Sequence, residues 1–452
     1  MRYPDSHSAT DLRRLNLPRI LFFILLLFGS LASAGQKANV IYLMVDDMGY
    51  ADLSCYGRKD YQTPNLDELA AAGMKFMNAY AAAAVCTPTR VAFMTGRYPA
   101  RVDIGLLEPW TGSKKDVGIG LSPAVHSLAK AVKTAGYETA LIGKWHLGGD
   151  TAYAPRKHGF NYFYGIKSGG ADYTSHRGAT GEPDLYENET PVTASGYLTD
   201  LIGQKAIAFL NREHSKPFFL SLQFTAPHWP WQAPGDKPMP DSLFGNPVRL
   251  AINGSPAIFA AMMKSLDEQV GKIMQVLKER GLDQNTVVIF TSDNGGEKFS
   301  DMGPFTKGKM NVWEGGIRVP AFVVWPGKVA SNVVSVQPVI TMDWSATILA
   351  ITGAKMDPAF PVDGINLVPY LEDKNRHISR TFYWRLTQRV NQHAVLDGNW
   401  KYLRDGDNEY LFDINLDPGE KNDLRKSESA KYILLKQKYF DWEKTMLPPK
   451  AL

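Results

Sequence analysis

Val40-Ile41-Tyr42-Leu43-Met44-Val45-Asp46-Asp47 decides how the rest of the chain is read. A continuous apolar run of this kind suits a strand buried on both faces, the usual state of a strand in a parallel sheet. Its two carboxylates would stand at the carboxyl end of that strand. The arrangement repeats downstream. Thr63-Pro64 reads as N-cap and first helical position, with Gly73 as the stop. Ser122-Pro123 opens a helix ending near Gly136, and the strand 137–142 leads into Gly143-Lys144-Trp145-His146. A helix near 199–211 leads to a strand over 218–224, followed by Ala226-Pro227-His228-Trp229-Pro230. A long helix over about 256–280, stopped by Gly281, leads to a strand over 286–290 and then Ser292-Asp293-Asn294-Gly295-Gly296. This alternation predicts an α/β fold with a large, mostly parallel sheet sandwiched by helices. In such sheets ligands bind beyond the carboxyl ends of the strands. Polar and charged groups at four strand ends therefore predict one shared site.

After about Gly353 the texture changes. Short strands over 381–384, 393–396, 400–403 and 409–413, then a helix over 430–445, predict a smaller antiparallel C-terminal subdomain. The expected division is a catalytic domain over 35–355 and an α+β subdomain over 356–452. The first 34 residues stand apart. Ile20–Phe28 is an apolar run of nine residues, preceded by Arg13, Arg14 and Arg19 and followed by Ala32-Ser33-Ala34. That is the pattern of a signal peptide cut near Ala34-Gly35, and the run falls short of the roughly 20 residues that span a bilayer. The expected product is exported, periplasmic or secreted, with no stable membrane association. Of the 452 residues, 44% are hydrophobic and 21% charged, so a sizeable core can form. Lys plus Arg number 50 against 46 Asp plus Glu, which leaves no global field to hold nucleic acid. Two cysteines, Cys55 and Cys86, exclude a disulfide framework and a cysteine-rich metal site.

Asp46, Asp47, Asp293 and Asn294 offer hard oxygen donors from two strand ends, and their three charges suit Ca²⁺ or Mg²⁺. Any one alone would be an ordinary cap or turn residue. Two adjacent aspartates after a buried strand are costly unless paired or metal-bound. Arg90, Lys144, His146, His228 and Lys309 form a second set. Taken singly these are ordinary surface cations and core histidines. Gathered beside a metal they suit a tetrahedral dianion such as a sulfate or phosphate ester. Cys86 precedes Pro88, which would start a helix reaching about Thr95. A thiolate fits a helix N-terminus. It does not fit beside a hard cation, because soft sulfur is a poor partner for Ca²⁺. The working group at position 86 is therefore expected not to be sulfur.

Cys86-Thr87-Pro88-Thr89-Arg90, continuing to Thr95-Gly96-Arg97-Tyr98, resembles the signature of the type I sulfatases, the formylglycine-dependent family of the alkaline phosphatase superfamily. Six further motifs carry the same resemblance in chain order. They are Asp46-Asp47-Met48-Gly49-Tyr50, Thr63-Pro64-Asn65-Leu66-Asp67, Gly143-Lys144-Trp145-His146-Leu147-Gly148, Ala226-Pro227-His228, Ser292-Asp293-Asn294-Gly295-Gly296 and Trp313-Glu314-Gly315-Gly316-Ile317-Arg318. The resemblance implies an alkaline phosphatase-like sheet and oxidation of Cys86 to Cα-formylglycine by a formylglycine-generating or anaerobic maturation enzyme. It implies Ca²⁺, ahead of Mg²⁺, on Asp46, Asp47, Asp293, Asn294 and residue 86. One hydroxyl of the aldehyde hydrate would attack sulfur in line. His228 or Lys309 would protonate the leaving alcohol. His146 would be the base that expels sulfate from the covalent ester. Arg90 and Lys144 would hold residue 86 and neutralise the sulfate. Family spacing places the lysine five residues before Glu314, which selects Lys309 with Lys307 in reserve.

The resemblance fixes the ester and leaves the alcohol open. The chain looks most like the arylsulfatase A and N-acetylgalactosamine-6-sulfatase type, which covers both aryl and sugar sulfates. Expected export, and Trp229 and Trp231 next to His228, favour a sulfated carbohydrate over a small aryl sulfate. Asp172, His176 and Arg177 in the glycine-rich stretch 168–181, with Trp384 and Arg385 from the C-terminal subdomain, are expected to meet the substrate. The rivals are a phosphodiesterase or phosphonate monoester hydrolase of the same superfamily, and a sugar-binding protein on a retired sulfatase fold.

Overall fold

The strand Asn39–Val45 lies at the centre of a ten-stranded sheet in the computed structural model, which describes Met1 and residues 37–112, 116 and 118–450. Apart from Met1, the expected signal peptide over 1–34 lies outside the described residues. The central strand pairs in parallel with Phe218–Gln223 on one side and Thr286–Ser292 on the other. Its side chains alternate between two cores. Ile41, Leu43 and Val45 join one, and Val40, Tyr42 and Met44 join the other. Both faces are dry, so the strand shows no polar alternation.

Glu138–Gly143 and Tyr162–Gly165 extend the parallel part. Ala321–Val324 runs antiparallel on the far side of Thr286–Ser292 and makes the sheet mixed. The helices Pro64–Ala71, Leu198–Leu210 and Pro256–Glu279 cover one face through residues such as Leu66, Ile202 and Leu266. Cys86–Thr95, Leu128–Thr134 and Thr341–Thr352 cover the other through Phe93, Leu128 and Trp344. Sequence and structure differ at one helix start. The helix expected at Ser122 begins at Leu128, because Ser127 is the cap: its Oγ accepts the Lys130 N–H at 3.3 Å and donates to the His158 carbonyl at 2.6 Å.

Toward the C-terminus, Thr381–Leu386, Gln392–Asp397, Trp400–Asp405 and Asn408–Asp413 form an antiparallel meander. One face takes Leu435 and Tyr439 of the helix Ser429–Glu443. The other buries Phe382, Leu403 and Phe412 against Tyr80, Val85 and Ile317. A buried polar tie crosses the same junction. Lys401 stands 2.9 Å from Glu314 and 2.7 Å from Glu420, and Arg318 lies 3.1 Å from Glu314. Among the described residues no helix is long and apolar enough to cross a membrane.

Candidate active site

Asp46 and Asp47 follow the central strand directly, and both are buried. Asp47 adopts φ 62, a left-handed conformation that Asp tolerates. Its N–H donates to Asp293 Oδ1 at 3.2 Å, which ties two strand ends together. Asn294 Nδ2 donates to Asp47 Oδ1 at 2.7 Å. Lys144, from the end of Glu138–Gly143, contacts Asp46 Oδ2. Lys309 Nζ lies 2.6 Å from Asp47 Oδ2, and His228 Nε2 lies 3.5 Å from the same oxygen. Arg90 reaches Asp293 Oδ2 through Nε at 3.1 Å and Nη2 at 2.9 Å. Cys86 is the first residue of its helix and 1% exposed.

Ligand atoms of Asp46, Cys86 and Asp293 lie within 4.8 Å of one another, as do those of Asp47, Cys86 and His228. Asp46 Oδ1 and Asn294 Oδ1 are buried without a hydrogen-bond partner. Buried oxygens in that state favour a cation. This donor set, four oxygen-bearing side chains with three carboxylates, fits a hard divalent ion.

The electrostatics are strongly polarised. Burial would raise the Asp47 carboxyl, but Lys309, His228 and Lys144 hold it down to about 2. Burial, with Asp46 beside it, pushes Asp293 up to about 7 in spite of Arg90. Burial lifts the Cys86 thiol to about 12, against the pull of Lys144 and Lys309. An unaltered thiol here is protonated at neutral pH and is no nucleophile. Lys309 is buried too, yet Asp47 leads the groups that keep its pKa well above the ordinary lysine value.

Both site histidines are neutral. Burial pushes His228 down to about 3, with Lys309 and Lys144 adding to it over the opposing pull of Asp47. Burial, Lys144 and Arg90 lower His146 well below its ordinary value. A carbonyl only accepts, so each imidazole's tautomer follows from its carbonyl partner. His146 Nε2 donates to the Trp110 carbonyl at 2.8 Å, which leaves Nδ1, buried and unpartnered, as the lone pair. His228 Nδ1 donates to the Trp229 carbonyl.

A sulfatase family profile matches residues 38–354, a span that contains every residue of this cluster. The chain belongs to the sulfatase family. A second profile, N-sulphoglucosamine sulphohydrolase C-terminal, matches residues 302–441 of this sulfatase. N-acetylgalactosamine-6-sulfatase of Rattus norvegicus is 33% identical over 390 residues, covering 81% of this chain and 72% of the relative. Steryl-sulfatase of Homo sapiens is 28% identical, covering 94% of this chain and 90% of the relative. The crystal structure of Ps i-CgsB superposes with a TM-score of 0.80 at 31% identity, covering 90% of this chain and 93% of that one. The fold alone is shared with the phosphonate monoester hydrolase of Agrobacterium radiobacter, at 19% identity and a TM-score of 0.62. The protein is thus a sulfuric ester hydrolase of the alkaline phosphatase superfamily.

In this sulfatase most of the expected substrate residues turn inward. The Asp172 carboxylate is buried and accepts from the Thr174, Ser175 and Met239 N–H groups and from Gln232. His176 Nε2 donates to the Gly196 carbonyl, and Arg177 binds the Gly181 carbonyl and Asp241. These three build their own loop. Trp384 is 1% exposed, packs on Tyr80 and donates its indole N–H to the Ala81 carbonyl, so it belongs to the core. Trp231 is buried as well. Arg385 donates to the Leu447 carbonyl and faces Glu443. Trp229 is half-buried, and its ring lies against His228 at 4.7 Å. Lys307 turns away to Asp405 at 3.0 Å.

Other contributors were not expected from the sequence. Gln223, the last residue of its strand, accepts from Arg90 at 3.0 Å. Its strand-end position was the available signal. Glu297 stands 3.3 Å from Lys309. The glycine-rich stretch reaches the site through bare backbone: a Cβ on Gly169 would lie 2.7 Å from His146 Nε2, and one on Gly170 2.9 Å from His228 Nδ1.

Proposed function

We propose that this enzyme hydrolyses sulfate esters of a sulfated carbohydrate, using formylglycine at position 86 and Ca²⁺. One observation carries the chemistry: a thiol that burial holds protonated sits among four oxygen donors and a ring of cations. Sulfur is wrong for both roles at that position, and an aldehyde hydrate supplies oxygen for both. Asp46, Asp47, Asp293, Asn294 and residue 86 would hold the ion, which supplies positive charge to the sulfate oxygens when bound. A formylglycine-generating or anaerobic maturation enzyme is the partner required to prepare residue 86.

The remaining work belongs to side chains already in place. Lys144 and Lys309 neutralise the ester oxygens. Arg90, fixed by Asp293 and Gln223, orients the start of the helix that carries residue 86. Entry of the anionic ester raises the proton affinity of the nearby histidines. Lys309 carries at rest the proton that the leaving alcohol takes; His228 can serve only after its Nε2 accepts one, and the hydroxyl of residue 86 that attacks sulfur releases it. His146 receives a proton at its free Nδ1 when sulfate departs. The domain over 35–355 holds this machinery, and 356–452 buttresses it. Export after cleavage near Ala34-Gly35 would bring the enzyme to its polymer substrates.

The carbohydrate assignment draws on the relatives. One of them is an N-acetylgalactosamine-6-sulfatase, and the Ps i-CgsB structure was also solved with k-i-k-neocarrahexaose. Matured enzyme should release sulfate from at least one member of a sulfated glycan panel, read by ion chromatography. It should do so faster than it cleaves p-nitrophenyl sulfate or p-nitrophenyl phosphate diesters. Diester cleavage that outpaces every sulfate would replace this reading with the phosphodiesterase one.

A further inference from the structure

His146 keeps Nδ1 free because its Nε2 is held by the carbonyl of Trp110. Trp110 is itself 4% exposed, and its N–H donates to Thr87 Oγ1 at 3.2 Å, next to Cys86. Two residues earlier, Glu108 is 6% exposed and makes a three-bond clamp on a turn of the C-terminal meander. Its Oε2 accepts from the Thr387 N–H at 2.7 Å and the Gln388 N–H at 2.7 Å. Its own N–H donates to Gln388 Oε1 at 2.8 Å. On the strand leading into that turn, Arg385 also sets its charge beside the Glu108 carboxylate, while Trp384 bonds to the Ala81 carbonyl.

We infer that Glu108 is a positioning residue: by clamping residues 108–110 to the turn at Thr387-Gln388 it holds the Trp110 carbonyl that sets the ring of His146. The C-terminal subdomain thereby acts on the reaction through one carboxylate and one backbone carbonyl. A buried acceptor that serves two N–H groups is costly to remove, since both donors are then left unpaired. The segment it anchors would relax, and a displacement of about 1 Å at a catalytic group can cost on the order of 100-fold in rate. Because both N–H groups converge on one oxygen, Glu108→Gln keeps an acceptor where it is needed, whereas Glu108→Ala does not.

The inference rests on His146 acting as the base, and the test separates the two. The first readout is nitrogen NMR of histidine-labelled protein in its unmodified Cys86 form, with His146→Gln assigning the signal. Wild type should show a neutral His146 ring protonated at Nε2. Glu108→Ala should lose that single tautomer. Once matured, it should also show kcat lowered on the order of 10–100-fold with KM changed less than about twofold. Glu108→Gln, which keeps the acceptor and drops only the charge beside Arg385, should restore the tautomer and most of kcat. If Glu108→Ala does not fold, Gln388→Ala removes one bond of the clamp from the other side and should give the same changes in smaller measure. A wild-type tautomer signal in a folded Glu108→Ala or Gln388→Ala protein overturns the inference. A lost tautomer with unchanged kcat upholds the clamp and removes His146 as the base.

Discussion

At position 86 two physical demands conflict. The helix start and its cations call for an anionic nucleophile, and the neighbouring carboxylates call for a hard ligand. Burial lifts the thiol to about 12, so cysteine meets neither demand. The peptide carrying residue 86 should therefore be about 18 Da lighter than its cysteine form after expression with a maturation enzyme. Cys86→Ala should abolish turnover and leave the melting temperature within a few degrees of wild type. Substantial residual turnover in that variant would contradict the chemistry. Arg90→Lys should lower kcat by about 10²–10³-fold, because a lysine cannot reproduce the fork that holds Asp293 and Gln223 together. Its sulfate release, measured on the best glycan substrate, is the check. Residues such as Asp46, Lys144, His228 and Asp293 were legible because side-chain chemistry at a strand end leaves a mark in sequence. The carbonyls of Trp110 and Trp229, which set the two histidines, leave none, since every residue has a carbonyl. Asp172 misled for a related reason. Beside glycine, a carboxylate that caps its own loop reads the same as one that awaits a ligand.

Among the elements, the strands expected from sequence were placed to within two residues, whereas Tyr162–Gly165 and Ala321–Val324 of the large sheet went unread, being too short for a long apolar run to mark them. The expected strand 286–290 in fact reaches Ser292 and delivers Asp293 to the site. The helix before Glu138–Gly143 was misplaced at its start because both Ser122 and Ser127 can cap, and only the partner carbonyl of His158 distinguishes them. The strand ends fit closely against one another. Gly143 has φ 118, and a Cβ there would lie 1.8 Å from the Gln223 carbonyl oxygen. No flexible side chain can yield at that contact. Gly143→Ala should cost roughly 3 kcal/mol or more and shift Lys144, its neighbour, along with Gln223. Urea unfolding of the purified variant measures this. A loss below about 1 kcal/mol would mean that the strand ends can separate, which the parallel pairing of these residues opposes.

For the molecule as a whole, the meander must stay docked if Glu108 is to reach its turn, and the docking surface contains a charged centre. Lys401 lies buried between Glu314 and Glu420. Burial, with the charge of Glu314 added, pushes Glu420 up to about 7 despite Lys401, while the same lysine and Arg318 overcome burial to lower Glu314. In the unfolded chain a glutamate titrates near about 4.3. The folded value is the higher one, so folding favours the protonated acid. The contribution of Glu420 is complete below about pH 4.3 and is lost as pH rises through about 7. Glu420→Gln fixes the neutral form and keeps one acceptor for the Glu314 N–H, which now donates to Glu420 Oε2 at 2.7 Å. Between pH 5 and pH 8 wild type should lose melting temperature relative to the variant. Asp293 and Asp52, both pushed up to about 7 mainly by burial, titrate in the same direction, and His146 and His228, which burial keeps neutral, in the opposite one; all remain in the variant, so the difference between the two proteins isolates Glu420. Calorimetry of both proteins at the two pH values, without added calcium, makes the comparison. Equal changes in the two proteins would show that Glu420 does not titrate at the junction, and that Lys401 balances both carboxylates as anions throughout.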